Sequence, residues 1–105
     1  MGKQNDYQVS ISEKAAQMLV SQAAYLAQTN LEAAERLVIS FETAANSLCT
    51  MPQRCPWLTV GHIPKNKYRF LIFEKHYLLI FQIIEKTVYA DYVVDGRQNF
   101  GRFIY

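Results

Sequence analysis

Positively charged side chains are concentrated in the second half of this 105-residue chain. Residues 1–50 carry three Lys or Arg against five Asp or Glu, whereas residues 51–105 carry eight against four. Such a surplus of cations fits an anionic partner, either a nucleic acid or an acidic protein segment. An equally good interpretation is a solvated basic rim that guards the edges of a β-sheet. The side chains that could carry anion-directed chemistry are Lys67, Arg69, Lys75, His76, Tyr77, Arg97 and Arg102.

Two cysteines, Cys49 and Cys55, lie on either side of Pro52. Their spacing is neither a C-x-x-C pair nor a zinc-knuckle pattern, and His62 cannot complete a four-ligand site with two thiols. We therefore interpret both cysteines as structural free thiols, and we predict neither a metal nor another cofactor.

The length and hydropathy of the chain favour one domain with a single core. No apolar run reaches the roughly 18 residues that a membrane-spanning helix needs. The polar start MGKQNDYQ has no apolar region typical of a secretory signal. We expect a cytoplasmic protein with no membrane partner.

Three apolar runs follow one another closely between residues 67 and 97. They are rich in Ile, Val, Phe, Tyr and Leu, contain neither Pro nor Gly, and are separated only by Glu74-Lys75 and Glu85-Lys86. These residue types suit a pleated surface, and breaks this short are typical of hairpins. We predict an antiparallel meander of three strands, at about Lys67–Glu74, His76–Ile84 and Thr87–Asp95. Both faces of the meander are apolar, which favours a partner on whichever face the chain leaves open.

A short strand and a first helix are predicted before the meander. Tyr7–Ile11 alternates apolar and polar residues, as a half-buried strand does. Ser12 is an N-cap candidate for a helix from Glu13 to about Gln28. The apolar stripe of this helix recurs every three or four residues, at Ala16, Leu19, Val20, Ala23, Leu26 and Ala27.

A second helix follows almost at once, so the two helices form a hairpin. Thr29 or Asn30 caps it, with Thr29-x-x-Glu32 as a capping box. It ends near Met51, because Pro52 disfavours helical geometry in the residue before it. Its apolar stripe consists of Ala34, Leu37, Val38, Phe41, Ala45 and Leu48.

The predicted fold class is therefore α+β in the order β-α-α-β-β-β. The helical hairpin packs on one face of a twisted antiparallel sheet, with Tyr7–Ile11 beside the meander. The loop at residues 52–66 contains Trp57 and is too apolar to lie in water, so we expect it to wrap one sheet edge. The whole of 1–105 is one domain, with a disordered N-terminus at 1–6 and a basic, aromatic tail at 97–105 that can cover part of the second face.

This order of elements, with several short patterns, resembles the RelE/ParE superfamily of toxins from type II toxin–antitoxin modules. The resemblance covers about residues 7–104 and implies a growth inhibitor that a cognate antitoxin holds inactive. The patterns are N-L-E-A-A-E-R-L at Asn30–Leu37, L-x-x-x-P-x-R at Leu48–Arg54, K-Y-R-F-L-I at Lys67–Ile72 and V-V-D-G-R-Q-N-F at Val93–Phe100.

The resemblance implies one of two targets. RelE-like members cleave messenger RNA on the ribosome, using cations and a Tyr or His to stabilise the transition state and protonate the leaving oxygen. ParE-like members bind and poison DNA gyrase. This chain has Leu71, Leu78 and Gln98 where the nuclease branch places cations. Ile104 stands in place of its terminal Tyr, and Tyr105 is one residue out of register. The nuclease pattern is therefore largely absent.

We predict a ParE-like toxin that binds an essential macromolecular machine, with DNA gyrase as the favoured target. A ribosome-dependent nuclease is the alternative, and a non-toxic relative that only binds its antitoxin is a third interpretation. The antitoxin is expected to lay a strand or helix over the open sheet face and the helical hairpin. Both a homodimer and a toxin–antitoxin hetero-oligomer are compatible with this function.

The candidate site residues follow from this prediction. Arg97 is expected to pair with Asp95 near the tail, and His76-Tyr77 to lie at a hairpin. If the chain is a nuclease, the catalytic candidates are Arg69, His76, Tyr77 and Arg97. The candidates for target or antitoxin binding are Lys67, Arg69, Lys75, Tyr92, Arg97, Phe100, Arg102 and Tyr105.

Overall fold

The computed structural model describes residues 6–98. The elements follow the predicted order β-α-α-β-β-β, which confirms the α+β class. They are β1 (Gln8–Ile11), α1 (Glu13–Ala27), α2 (Leu31–Ser47), a short 3₁₀ helix (Pro52–Arg54), β2 (Arg69–Phe73), β3 (Tyr77–Ile84) and β4 (Thr87–Asp95).

The four strands form one sheet in the order β1-β4-β3-β2. β2, β3 and β4 are antiparallel neighbours, as predicted for the meander. β1 pairs with β4 in parallel, so the sheet is mixed and the expectation of a wholly antiparallel sheet is wrong at this edge. Tight turns impose antiparallel pairing on β2, β3 and β4, whereas no turn joins β1 directly to β4. The direction of β1 therefore depends on the path through the helices.

Polar caps set the start of both helices. The Ser12 hydroxyl accepts a hydrogen bond from the Ala15 N–H at 2.9 Å, as its position predicted. The Asn30 side chain accepts one from the Ala33 N–H at 3.0 Å. Asn30 is therefore the N-cap of α2, and the expected capping box at Thr29 is wrong because the helix begins one residue later.

One face of the sheet packs against both helices. The stripe predicted for α2 is largely buried here, but that of α1 is rotated, since Ala15 is buried while Val20 is 65% exposed. We call this cluster the helix-side core. Its buried members are Ala15, Leu19, Leu37, Phe41, Ala44, Ala45, Leu48, Cys55, Phe73, Tyr77, Leu79, Phe81, Val88, Ala90 and Val93.

Part of the other face of the sheet is covered by the loop between the 3₁₀ helix and β2. Leu58 and Ile63 from this loop are buried against the sheet. The expected position of the loop at a sheet edge is confirmed by the bridge between Trp57 and Arg69. The second face is not wholly open as expected, because the same loop also reaches over part of it, while Ile72, Ile84 and Tyr89 stay exposed. We call this cluster the loop-side core, and its buried members are Leu58, Ile63, Tyr68, Ile80, Tyr92 and Val94.

A bulge at Asp91 divides β4 between the two cores. Ile80 pairs with Tyr92 but Phe81 pairs with Ala90, so Asp91 has no partner residue on β3. An extra residue reverses the alternation of side chains beyond it. Ala90 therefore faces the helices and Tyr92 faces the loop, although strict alternation predicts that they share a face.

Candidate functional site

His76, Tyr77 and Arg97 come together at one end of the sheet, beside the turn that joins β2 to β3. Tyr77 is the first residue of β3 and lies opposite Asp95, the last residue of β4. The Gly96 N–H donates a hydrogen bond to the His76 carbonyl at 2.7 Å. A Cβ on Gly96 would lie 2.5 Å from Leu78 Cδ1 and 2.8 Å from the His76 oxygen. Glycine is needed here because the two strands approach so closely.

Asp95 is the buried carboxylate of this cluster. Its Oδ1 accepts hydrogen bonds from the Arg97 N–H at 2.9 Å and Nε at 3.2 Å, and its Oδ2 accepts one from Nη2 at 3.0 Å. The hydrogen bonds from the Arg97 side chain hold the pKa of Asp95 below its ordinary value. The predicted ion pair between Asp95 and Arg97 is thus present, and Asp95 is charged at neutral pH.

The aromatic and imidazole groups beside Asp95 differ in what they can do. Burial raises the pKa of Tyr77, so its hydroxyl is protonated at neutral pH and can donate or accept a hydrogen bond. His76 Nε2 is buried without a hydrogen-bond partner and lies 3.9 Å from Asp95 Oδ1. The Arg97 side chain is 64% exposed, so part of its guanidinium remains available to an anion.

A polar cleft of about 430 Å³ opens between this cluster and α1. The cleft can hold a polar or anionic group against the exposed side of Arg97. It is lined by Ser21, Gln22, Tyr25, Leu26, Tyr77, Asp95, Arg97 and Gln98.

Arg69 lies apart from this cleft. It pairs with Phe81 near the middle of β3, four residues or about 13 Å along β2 from Phe73. Its guanidinium stacks on the Trp57 ring at 3.8 Å from the centroid. Its Nη1 donates to the carbonyls of Gln53 at 3.0 Å and Cys55 at 2.6 Å. These contacts tie the loop to β2, so the geometry favours a structural role for Arg69.

The remaining predicted binding residues are spread over the molecule. Lys75 is exposed in the β2–β3 turn, and Lys67 Nζ lies 5.4 Å from the centroid of the Tyr68 ring. Tyr92 is buried in the loop-side core, edge-on to Tyr68. Burial, followed by the proximity of Tyr92, raises the pKa of Tyr68 to about 12. The candidates Phe100, Arg102 and Tyr105 lie outside the described residues.

The positions where nucleases of the superfamily are expected to carry cations hold other groups. Leu71 is packed against the helix-side core and Leu78 against the loop-side core. Gln98 is exposed at the mouth of the cleft. Within residues 6–98, no group of three or more His, Cys, Asp or Glu side chains could hold a metal ion, and no helix is long and apolar enough to cross a membrane.

A second surface lies on the outer side of the helical hairpin, and the sequence pattern did not reveal it. Val20 and Ile39 are 65% and 62% exposed there. They flank a shallow groove between α1 and α2, which we call the hairpin groove. The sequence pattern predicts that Val20 belongs to the buried stripe of α1, and it therefore gives no sign of an exposed apolar surface here. Leu19 and Val20 are adjacent, however, and a stripe that includes both is wider than one contact face needs. The groove is lined by Leu19, Val20, Ala23, Ala24, Ala27, Ala34, Glu35, Val38 and Ile39.

Known proteins that resemble the chain give one consistent assignment. A family model described as "ParE toxin of type II toxin-antitoxin system, parDE" matches residues 9–100. A solved structure titled "Chromosomal ParDE TA system from P. aeruginosa" superposes with a TM-score of 0.71. It has 15% sequence identity and covers 88% of this chain and 98% of that one, so the likeness shows the fold. No curated protein matches the sequence.

Proposed function

The chain belongs to the ParE toxin family of type II toxin–antitoxin systems, and on that basis we propose that it inhibits growth by binding DNA gyrase. We propose further that a cognate antitoxin neutralises it by covering the surface that contacts the target. The toxin acts in this proposal as a binding protein and carries out no hydrolysis of its own.

The placement of Arg69 is the observation that carries the choice of a binding mechanism. A nuclease needs several cations around one phosphate to stabilise the developing charge. Arg69 instead stacks on Trp57 and donates to two backbone carbonyls, away from His76, Tyr77 and Arg97. Leu71 and Leu78 are partly buried against the two cores, and among residues 6–98 Arg97 is the one cation that lines the cleft.

Two exposed cations make the β2–β3 end of the sheet the proposed target contact. Lys75 lies in the turn and Arg97 follows β4 at the same end. Phe100, Arg102 and Tyr105 follow Arg97 in the sequence, and they remain proposed binding residues that lie outside the described part of the chain. Lys67, Arg69 and Tyr92 are less suited to it, because their side chains are engaged by neighbouring rings or the loop.

One observation supports a second candidate function. His76, Tyr77 and Arg97 share one end of the sheet, and a protonated Tyr next to an Arg can act as an acid towards a phosphate. A ribosome-dependent endoribonuclease that uses these three residues is therefore the alternative to a gyrase-binding toxin.

Induction of the chain alone in bacteria separates these functions. We expect growth arrest with cleaved gyrase–DNA complexes and a DNA-damage response, while messenger RNA stays intact. Truncated messages without gyrase complexes would instead identify a nuclease. Growth at the normal rate, with the folded protein present, would identify a non-toxic relative.

The contribution of Arg97 can be tested with a matched charge change. Arg97→Gln should reduce gyrase trapping, because it removes an exposed cation beside the tail. Lys86→Gln removes a cation at the opposite end of the sheet and should leave trapping unchanged. Urea midpoints of both variants show whether a loss of trapping reflects unfolding. Equal trapping by the two folded variants would contradict the proposed contact.

Co-expression with the product of any short reading frame beside the gene that encodes an acidic protein tests neutralisation. Restored growth and a stable purified complex are the expected results. The mass of the complex also distinguishes a hetero-oligomer from a homodimer of the toxin. A neighbour that neither binds the toxin nor restores growth would contradict the proposed antitoxin.

A further inference from the structure

The second half of β4 has a free edge in the described part of the chain. β1 covers only the first half, since its last pair joins Ile11 to Ala90 before the chain enters α1. On its other side, β4 is paired with β3 as far as Asp95. Among residues 6–98, no strand borders the outer side of β4 beyond the bulge at Asp91. An open strand edge of this kind can pair with a further strand.

The backbone groups of Val93 face this free edge. The Gly96 N–H donates to the His76 carbonyl and so faces β3, and the direction of these groups alternates along a strand. Val93 and Asp95 therefore face away from β3. Val93 is buried, but its N–H and C=O have no hydrogen-bond partner among residues 6–98. Buried backbone groups are almost always paired in native proteins, so Val93 is suited to a strand from outside this range.

A groove beside the edge has room for a side chain of such a strand. It lies between α1 and β4 and has a volume of about 240 Å³, enough for one aromatic ring. Because α1 forms one wall, the groove opens on the helix side of the sheet. We call it the edge groove, and it is lined by Met18, Ser21, Gln22, Val93, Val94, Asp95 and Gln98.

The chain itself turns back towards this edge after β4. The Gln98 N–H donates to the Asp95 carbonyl at 3.0 Å, which closes a β-turn across Gly96 and Arg97. Because the Asp95 carbonyl faces away from β3, the turn reverses the chain on the side of the free edge. Neither Gly96 nor Arg97 has a positive φ, as in a type I turn, on which four-residue hairpin loops are commonly built.

The next seven residues, 99–105, have the length and composition of a strand. Seven extended residues span about 23 Å, whereas the free edge from Asp95 back to Tyr92 is about 10 Å long. Their sequence, NFGRFIY, is rich in Phe, Ile and Tyr, which favour strands. A segment tethered beside the edge also meets it at a higher effective concentration than a separate molecule does.

We propose that residues 99–105 pair with the free edge of β4 as an antiparallel fifth strand, with the Phe100 side chain in the edge groove. Phe100 lies opposite Val93 after a two-residue loop and opposite Asp95 after a four-residue loop. Both positions face the helices, because Val93 and Tyr77, the partner of Asp95, belong to the helix-side core. Phe100 is then an internal anchor of the tail.

This docking has a consequence for target binding. A paired tail presents Arg102 and Tyr105 from a fixed position at the sheet edge, which lowers the entropy cost of their contact with a target. The consequence rests on the proposed function, whereas the docking itself depends only on this chain.

Cross-strand contacts in the full chain test the pairing by NMR. Val94 lies between the two residues that face the edge, so it forms a non-hydrogen-bonded pair with Asn99 or Gly101. Such a pair brings the two Cα atoms to about 4.5 Å, and their hydrogens give a strong nuclear Overhauser effect. We expect this signal at Val94, together with contacts from the Phe100 ring to Met18.

A matched pair of variants locates the anchor. Phe100→Ser removes the ring that fills the edge groove and should weaken the Val94 signal at least about fivefold. Phe103→Ser removes the same ring from the opposite face of the strand and should weaken that signal less than about twofold. The remaining cross-strand signals between β3 and β4 show that both variants are folded.

Three results would overturn the proposal. The first is the absence of contacts between Val94 and residues 99–105, and the second is an equal loss of signal in the two variants. The third is a Val94 contact that arises only between labelled and unlabelled chains in a mixed sample, which would identify a second copy as the occupant. None of these measurements involves gyrase or an antitoxin, so failure of this inference is distinct from failure of the proposed function.

Discussion

The two faces of the sheet are covered by different means and to different extents. Among residues 6–98, the helix-side core has fifteen buried residues beneath two capped helices, whereas the loop-side core has six beneath a single loop. The helices satisfy their own backbone groups, while the loop is joined to β2 by a few bonds, such as Leu58 N–H to the Tyr68 carbonyl at 2.7 Å and Phe70 N–H to the Pro56 carbonyl at 3.2 Å. The helix side should therefore determine global stability, and the loop side should open locally.

The same difference separates the two arginines that the sequence singled out. Arg69 lies on the loop side, where its stacking on Trp57 and its hydrogen bonds help to hold the loop against β2. Arg97 lies at the end of the sheet beside the helices and keeps an exposed side. A cation needed for packing is less available to a partner, so position within the fold decides between them.

The largest expected effect is in the helix-side core. Phe81→Ala removes a fully buried ring from the central strand β3 and should lower the free energy of unfolding by about 3–5 kcal/mol. Ile84→Ala, at an exposed position of the same strand, should cost less than about 1 kcal/mol. Urea denaturation of the two variants measures both costs. Equal costs would contradict the assignment of global stability to this face.

The next effect concerns the loop side. Ile63→Ala should lower the free energy of unfolding by about 2 kcal/mol, at the low end for a buried isoleucine because the loop can relax into the space. Hydrogen exchange should show that residues 55–68 open at a lower free energy than the amides of α2. Equal free energies of opening in the two regions would show that the two faces unfold as one unit.

A pH-dependent effect is expected at Asp95, where the sheet end meets the cleft. Because its native pKa lies below the ordinary value of 3.8, its carboxylate stabilises the fold above that value, and this contribution is lost as the pH falls through the native pKa. Asp95→Asn should therefore cost about 1–2 kcal/mol at neutral pH and progressively less in acid. Urea unfolding from pH 7 to pH 3 tests this, with Glu85→Gln as the exposed control. A cost that stays constant with pH would rule out the carboxylate as its source.

The smallest effect is expected at Arg69. Arg69→Lys loses the planar stack on Trp57 and the paired carbonyl contacts, and should cost about 1 kcal/mol. Trp57 is the single tryptophan of the chain, so its fluorescence reports directly on this site. Lys65→Arg in the same loop is the control. Unchanged fluorescence and stability in Arg69→Lys would show that the loop is anchored by its apolar residues alone.

Local sequence patterns predicted where the helices, strands and turns lie, but they predicted less well how these elements pack against one another. Ser12 marked the start of α1, and the charged pairs at 74–75 and 85–86 marked the hairpins, because caps and tight turns depend on neighbouring residues. The extra residue at Asp91 was not predictable from alternation, since a bulge is defined only by the partner strand. The position of the loop over the second face was not predictable either. Its apolar composition indicated that it is buried, but not which part of the sheet it packs against.

The candidate site was predicted in part. The pairing of Asp95 with Arg97 follows from two residues in one turn, so the sequence indicated it directly. The separation of Arg69 from His76 depends on the strand register and on the stacking of Arg69 on Trp57, which lies twelve residues earlier in the sequence. The hairpin groove depends on the rotation of α1 about its axis, which exposes Val20.

By itself the sequence determined the order of strands and helices and a basic second half, because periodicity, capping and charge are properties of neighbouring residues. Only the tertiary structure decided that β1 runs parallel to β4, that a loop covers part of the second face, and that an apolar groove between α1 and α2 faces outward. Those features arise from contacts between residues far apart in the chain, and no local preference specifies them.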